Sequence, residues 1–359
     1  MSRKPTITSV ARLSGVSTST AGRVLGGYGY SSPDIRERVL ASAAQLGYTP
    51  NQLARSLITG TTRTIGVVVG DIQSPFYASV LRGIYNIARI EGFGILLTGS
   101  DELIQQEIES VELLLAKQVD GLIIAPTDLR DAQHLRRAAG DGKPIVQIDR
   151  IIEGFNAEYV VVDNFNASYQ ATQNLIAEGH RDIGVVAELE HWNGKGLEEF
   201  IEAAKLGTVD PQHLFPSWQR VYGYLRAMIQ NDLIINPAYI CRVGEYSLSA
   251  GQNSVKYMMS QQQRPTALFS TGGLMSGAVM HALNQLNLTI PDDVSLLCFD
   301  DLDWFTFLKP AISAISQPTI EMGEEAAKLI FEKLKHPEVT QKSIKLKATL
   351  HNRGSVKSV

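Results

Sequence analysis

A chain of 359 residues is too long for one ordinary hydrophobic core and points to two or three domains. Apolar residues at 44% and charged residues at 19% are ordinary globular values, which argues against extended disorder. The net charge of −4 is divided unevenly: residues 1–58 hold seven Lys and Arg against Asp34 and Glu37, a net of +5, so the remainder carries −9. A basic head on an acidic body is the asymmetry expected when only one end meets phosphates.

The first elements read as a pair of short helices. Thr6 is an N-cap candidate, with Val10, Ala11 and Leu13 giving the first helix an apolar side. Gly15 supplies a turn, and Ser17 caps a second helix carrying Ala21, Val24 and Leu25. Two capped helices joined through Ser-Gly-Val form the helix-turn-helix pattern, whose second helix enters the DNA major groove. Ser32 can cap a third helix, in which Ile35, Val39, Ala43 and Leu46 recur at helical spacing before Gly47. Leu53, Ala54 and Leu57 give a small apolar face to a segment too short to be a stable helix alone. A polar linker, Gly60 to Thr64, follows.

Beyond Thr64 the pattern changes. Apolar runs of strand length lie at 65–69, 94–97, 121–125, 145–148, 160–162, 183–187, 267–270 and 294–299. Helical stretches fall between many of them, at 76–91, 104–117, 166–178, 219–231 and 274–286. Such alternation implies parallel sheets covered on both faces, and the number of units implies two similar lobes with a cleft between them. Cys241 and Cys298 have no metal-spaced partners and read as small buried apolar residues. No secretory leader follows Met1 and no apolar run has bilayer length, so a cytoplasmic protein without membrane contact is expected.

The ordered segments SVARLSGVSTSTAGRVL, RERVLASAAQLGYTPNQLARSL, IGVVVGDIQSPFYASVLRGI, VDGLIIAP, PIVQIDR, VDNFNASYQATQNLIAEGHRDIGVV, RVYGYL and IPDDVSLLCFDDLDW resemble the LacI/GalR family of transcriptional regulators. The resemblance implies a small all-α helix-turn-helix headpiece (1–49), a hinge helix and linker (50–63), and an α/β two-lobed, periplasmic-binding-protein-like core (64–359). Within that core, lobe 1 is expected at 64–162 and 317–342, and lobe 2 at 163–316 and 343–352. Thr18, Ser19, Gly22 and Arg23 match the base-approaching positions of the recognition helix. Ser17 and Thr20 fit phosphate contacts at its N-terminus, where Thr6 is also counted DNA-facing. Asn51, Ala54 and Leu57 match the hinge helix, with Leu57 at the position of a minor-groove wedge. The family usually carries Val-Ser where this chain has Ala21-Gly22, so no operator sequence carries over.

For the effector, the resemblance and the rule that open α/β sheets bind ligands at strand carboxyl ends point to Asp71, Phe76, Tyr77, Asp149, Arg150, Arg220, Asp300, Trp304 and Gln317. A planar aromatic among carboxylates and guanidiniums suits a polyhydroxy ligand. Arg150 and Arg220 together tilt the expectation toward a sugar acid or sugar phosphate. Gly272-Gly273 replaces a frequent Asn-Asp, and the stretch between His180 and Arg220 is longer than the family norm. Its His191-Trp192-Asn193 is expected at the cleft rim. The expected partners are operator DNA, a small sugar-like effector and a second copy of the chain, with a tetramer as the larger option. A repressor of carbohydrate-utilisation genes is the leading reading, and a sugar-binding protein without a regulatory role the alternative. GxxxxGK[ST], HExxH and GxSxG are absent, so neither catalysis nor a cofactor is expected.

Overall fold

The computed structural model describes residues 5–49, 60–189, 192, 194–244, 247–338 and 342–359. The headpiece helices lie in a compact unit that reaches Thr64 and takes in Gln118–Asp120; residues 65–117 and 121–359 form the other. In the first, α1 (Ile7–Ser14), α2 (Thr18–Gly26) and α3 (Pro33–Leu46) surround Val10, Ala11, Ala21, Val24, Val39 and Ala43. The Thr6 hydroxyl accepts from Ser9 N–H and the Ser17 hydroxyl from Thr20 N–H, satisfying donors that a helix start leaves open. Gly15 at φ 69° ends α1 in the left-handed conformation that glycine adopts without strain. Two details differ from expectation. Leu13 faces solvent, 47% exposed, because Ser14 takes the inward position and returns its hydroxyl to the Val10 carbonyl. Ser32 precedes α3 without a side-chain cap; Pro33 at the first turn makes one N–H fewer to satisfy.

The second unit holds two sheets. β1 (Thr64–Val69), β2 (Gly94–Gly99), β3 (Gly121–Ile124), β4 (Ile145–Ile148), β5 (Glu158–Val162) and β11 (Ser343–Leu346) pair in the order β11-β5-β4-β3-β1-β2. β6 (Ile183–Ala187), β7 (Ile240–Arg242), β8 (Ala267–Ser270), β9 (Ser295–Phe299), β10 (Ser313–Ser316) and β12 (Thr349–His351) pair as β12-β10-β9-β8-β6-β7. The two orders correspond strand for strand, so the lobes repeat one topology. β11-β5-β4-β3-β1 and β10-β9-β8-β6-β7 pair in parallel, whereas β12 runs antiparallel to β10. β3, β4, β6, β8 and β9 are buried along their whole length, as helices on both faces require.

The chain crosses between lobes near Asp163, Gln317 and Ala348. This corrects the expected placement of 343–352 in lobe 2: Ser343–Leu346 pairs with Tyr159–Val162 in the first sheet, because Ile344 and Leu346 alternate with Lys345 and pack on the first core. Only Thr349–His351 returns to the second sheet. In lobe 1, α4 (Pro75–Glu91) meets α12 (Thr319–Lys335) through two facing glycines, Gly83 and Gly323. In lobe 2, Gly223 of α9 (Pro216–Gln230) plays the same part against α7 (Asn164–Ala177), where a Cβ would lie 2.5 Å from the Phe165 carbonyl oxygen. The long stretch before Arg220 is built into the core: α8 (Leu197–Leu206) buries Phe200, Ile201 and Ala204 beside Trp218. Cys241 and Cys298 are buried and unpaired. Among the described residues no helix is long and apolar enough to cross a membrane.

Candidate functional site

On α2, Ser17, Thr18, Ser19 and Arg23 are exposed while Thr20 and Gly22 are half-buried, so the polar side of the helix faces away from the headpiece core. The Ser17 hydroxyl lies 2.9 Å from that of Ser19 and 2.8 Å from that of Thr20. Arg23 extends back to donate to Thr20 at 3.4 Å. These hydroxyls and the helix N-terminus form one donor-rich edge of the kind that holds phosphate oxygens. Asn51, Ala54 and Leu57 of the expected hinge helix lie outside the described residues, as do His191 and Asn193. Trp192 packs edge-on against Phe200 at 4.9 Å between ring centroids and does not itself line the cleft.

The core unit contains a cavity of about 270 Å³ between its lobes. Residues at the carboxyl ends of strands in both lobes line it. Asp71 follows β1, Glu102 follows β2, Thr127 follows β3 and Asp149-Arg150 follows β4. Across the cleft, Glu188 follows β6, Gly272-Gly273 follows β8, Asp300 follows β9 and Gln317 follows β10. Asp149 (φ 66°) and Asp300 (φ 72°) occupy equivalent places in the two lobes, and both adopt the left-handed conformation that non-glycine residues avoid. Backbone strain of this kind, about 1–3 kcal/mol each, persists where the surroundings hold a functional side chain in place.

Arg150 is already engaged. Its guanidinium grips Glu102 through two hydrogen bonds of 2.5 and 2.7 Å, approaches Asp149 at 3.3 Å and lies over the Phe215 ring. Tyr77 donates to Asp149 at 3.3 Å, and burial pushes its phenol well above the usual tyrosine range. Arg220, 6% exposed, donates to Asn164 Oδ1 at 2.8 Å and to the Thr271 carbonyl at 2.6 Å, with its Cζ 3.8 Å from the Phe299 ring centroid. Asp300 accepts from Gln317 at 2.6 Å and from Gly273 N–H at 3.2 Å. Among the described residues, five carboxylates and two guanidiniums therefore line the cavity. Two buried acceptors there, Glu188 Oε2 and Gln317 Oε1, have no hydrogen-bond partner among the described residues. Such atoms ask for donors from a ligand.

Of the nine expected effector residues, the cavity brings together Asp71, Phe76, Tyr77, Asp149, Arg150, Arg220, Asp300 and Gln317. Trp304 does not line it. It sits on a short turn, Asp303–Thr306, whose fully buried Phe305 anchors the chain and turns the Trp304 ring outward, 38% exposed. Sequence reasoning missed Glu102, Glu188, Phe215 and Trp218. Glu102 and Glu188 were within reach of the strand-end rule; the two aromatics sit in the long stretch for which no pattern exists.

Glu188 yields a pH prediction. Burial raises its carboxyl above the usual 4.5, an effect that Arg220 only partly offsets. A carboxyl raised on folding favours the fold when protonated, and that contribution is lost as pH climbs through the raised value. Glu188→Gln should therefore stabilise the ligand-free core at neutral pH by about 1 kcal/mol, a few degrees in melting temperature. The gain should vanish below pH 4.5, where the wild-type side chain is also neutral. Melting curves across pH 4–8 check this; a constant difference would mean that the Glu188 charge is already compensated.

Comparison with known proteins agrees with this architecture. Residues 6–51 match bacterial regulatory proteins of the lacI family. Residues 62–197 match the periplasmic binding proteins and sugar binding domain of the LacI family, and residues 172–356 a periplasmic binding protein-like domain. Catabolite control protein A of Priestia megaterium is 30% identical over 98% of this chain and 99% of its own. A transcriptional regulator CelR–cellobiose complex is 25% identical, with a TM-score of 0.68 over 98% of this chain and 99% of that one. The lac repressor dimer bound to operator and the anti-inducer ONPF shares the fold, with a TM-score of 0.81 at 22% identity over 99% and 100% of the two chains. With a capped helix-turn-helix at one end and a two-lobed ligand cleft in the rest, the chain belongs to the LacI family of transcriptional regulators, DNA-binding proteins rather than enzymes, with a periplasmic-binding-protein-like effector domain.

Proposed function

We propose that this regulator binds operator DNA as a homodimer in the cytoplasm, represses genes of carbohydrate use, and takes an uncharged, hydroxyl-rich sugar as its effector. The observation that carries the effector reading is the cleft's balance of groups. Arg150 is spent on Glu102, five carboxylates face two guanidiniums, and the unpartnered Glu188 and Gln317 oxygens accept rather than donate. This favours sugar hydroxyls, each a donor, over the carboxylate or phosphate that Arg150 and Arg220 alone had favoured. A cavity of about 270 Å³ is suited to a small sugar, and the cellobiose bound by the CelR relative is of the same chemical class. The dimer reading rests on lobe 1. Edge strand β2 exposes Leu96 and Leu97, and α4 and α5 (Ile104–Ala116), which flank it, expose Tyr85, Ile90, Ile104 and Leu113. Exposed apolar side chains on and beside an open sheet edge favour pairing with a partner there.

The test uses full-length protein. Thermal shift with ribose, glucose, cellobiose, gluconate and glucose 6-phosphate should find a neutral sugar that stabilises it by a few degrees. That sugar should then change affinity for a duplex selected from genomic fragments by about five- to 150-fold, the usual range of allosteric coupling. Stabilisation by gluconate or the phosphate alone would reverse the charge argument. The same duplex should show steep salt dependence, with about 10³-fold weaker binding between 50 and 200 mM salt, because two +5 headpieces displace counterions. A flat salt response would contradict the electrostatic role of residues 1–58.

A further inference from the structure

Helix α2 lacks a side chain at two positions one turn apart, Gly22 and Gly26. Both glycines face the side chain of Tyr28, which folds back from the following loop. A Cβ at Gly26 would lie 2.2 Å from Tyr28 Cε1 and 2.5 Å from Cδ1, and a Cβ at Gly22 would lie 3.5 Å from Ile7 Cδ1 and 3.7 Å from the Tyr28 hydroxyl oxygen. The return is set by the backbone. Gly27 at φ 72° caps α2 in the left-handed conformation, and Tyr28 N–H donates to the Arg23 carbonyl at 3.1 Å. Gly29, also left-handed, leaves room for Arg23, whose Cδ would stand 3.2 Å from a Cβ there. Tyr28 is half-buried, and no described residue hydrogen-bonds its hydroxyl. A helix glycine costs about 1 kcal/mol relative to alanine; here the pair forms the flat track on which an aromatic ring lies.

We propose that Tyr28 is a DNA-contacting residue. Its phenol takes the place of the missing side chain at Gly22 and donates a hydrogen bond to an acceptor on duplex DNA, a base edge or a phosphate oxygen. The recognition surface is then a composite of α2 and the loop behind it, with Thr18, Ser19 and Arg23 from the helix and the Tyr28 hydroxyl from the loop. This rests on α2 being the helix that meets DNA.

The probe is a duplex enriched by the wild-type full-length protein from a library with a randomised 20-bp core. Tyr28→Phe keeps the ring on its track and removes only the hydroxyl, so binding should weaken about three- to tenfold per headpiece. Repeating the selection with Tyr28→Phe separates the two acceptors: a relaxed base preference at one position per half-site marks a base contact, and an unchanged motif with uniformly weaker binding marks a phosphate. Gly26→Ala, which puts a methyl group where the ring lies, should weaken binding at least as much while the effector core melts unchanged. Arg23→Ala is the reference. If it weakens binding while Tyr28→Phe does not, the Tyr28 contact is overturned and α2 stands. If neither matters, α2 is not the DNA-facing helix and the proposal falls with it.

Discussion

Arg220→Ala will leave a protein that still binds its operator but no longer answers its effector. Arg220 is the one guanidinium in the cleft without a carboxylate clasp, and its hydrogen bonds run to Asn164 and the Thr271 carbonyl. Its charge also restrains the carboxyls around it, since without Arg220 both Asp149 and Glu188 would be raised further by burial. Removing it strips the cleft of a ligand donor, leaves two buried acceptors unsatisfied and pushes the carboxyls toward their neutral forms. The structural loss should be about 2–4 kcal/mol, from two orphaned acceptors at about 1–2 kcal/mol each. Arg220→Lys, which keeps the charge but not the planar fork, should recover part of the stability and little of the effector affinity. Calorimetric titration with the stabilising sugar and operator binding in its presence and absence check both halves. An effector isotherm equal to wild type would remove Arg220 from the site.

The contrast between Arg220 and Trp304 shows what the residues alone disclose. Strands such as 145–148 and 183–187 were legible because burial on both faces demands uninterrupted apolar runs, and their carboxyl ends then named Asp71, Asp149, Arg150 and Asp300 as ligand-facing. β7, β10, β11 and β12 left little trace: each is three or four residues long, β10 is bounded by Ser313 and Ser316, and the others lie at a sheet edge, where Ile344 and Leu346 alternate with polar neighbours. The lobe boundary at 343 was misplaced for that reason. Trp304 was expected from its family position alone, which cannot show that the neighbouring Phe305 takes the core and leaves the Trp304 ring outside the cavity. That Arg150 is neutralised by Glu102 was invisible, since the partners are 48 positions apart and follow strands β4 and β2, which are not neighbours in the sheet and share only its carboxyl edge. Charge in a cleft is a property of the folded pairings, so the preference for an anionic effector could be formed from the residues but not decided by them.

Gly323→Ala should destabilise lobe 1, although alanine is the better helix former. A Cβ at Gly323 would lie 1.9 Å from the Val80 carbonyl oxygen and 2.9 Å from the Ile84 nitrogen, and one at Gly83 would lie 2.0 Å from the Ile320 carbonyl oxygen. The two glycines thus let α4 and α12 meet backbone to backbone. Alanine gains about 1 kcal/mol of helix propensity, but the methyl group meets backbone atoms that cannot rotate away. The helices must part, and overpacking of this kind costs about 1–3 kcal/mol, occasionally more. With the overlap on main-chain atoms the upper end applies, so a net loss of about 2 kcal/mol is expected, seen as a melting temperature lower by roughly 4–8 °C. The effect should reach the effector site, because α12 begins two residues after Gln317, which lines the cleft and donates to Asp300. Shifting α12 outward pulls that crossover, so effector affinity should fall with stability. Gly223→Ala, at the matching crossing of lobe 2, should behave alike, whereas alanine at the exposed helix end Gly140, where a Cβ meets nothing within 4 Å, should be neutral or mildly stabilising. If Gly323→Ala instead raises the melting temperature as at an open helix site, the close approach of α4 and α12 is not what holds lobe 1 together.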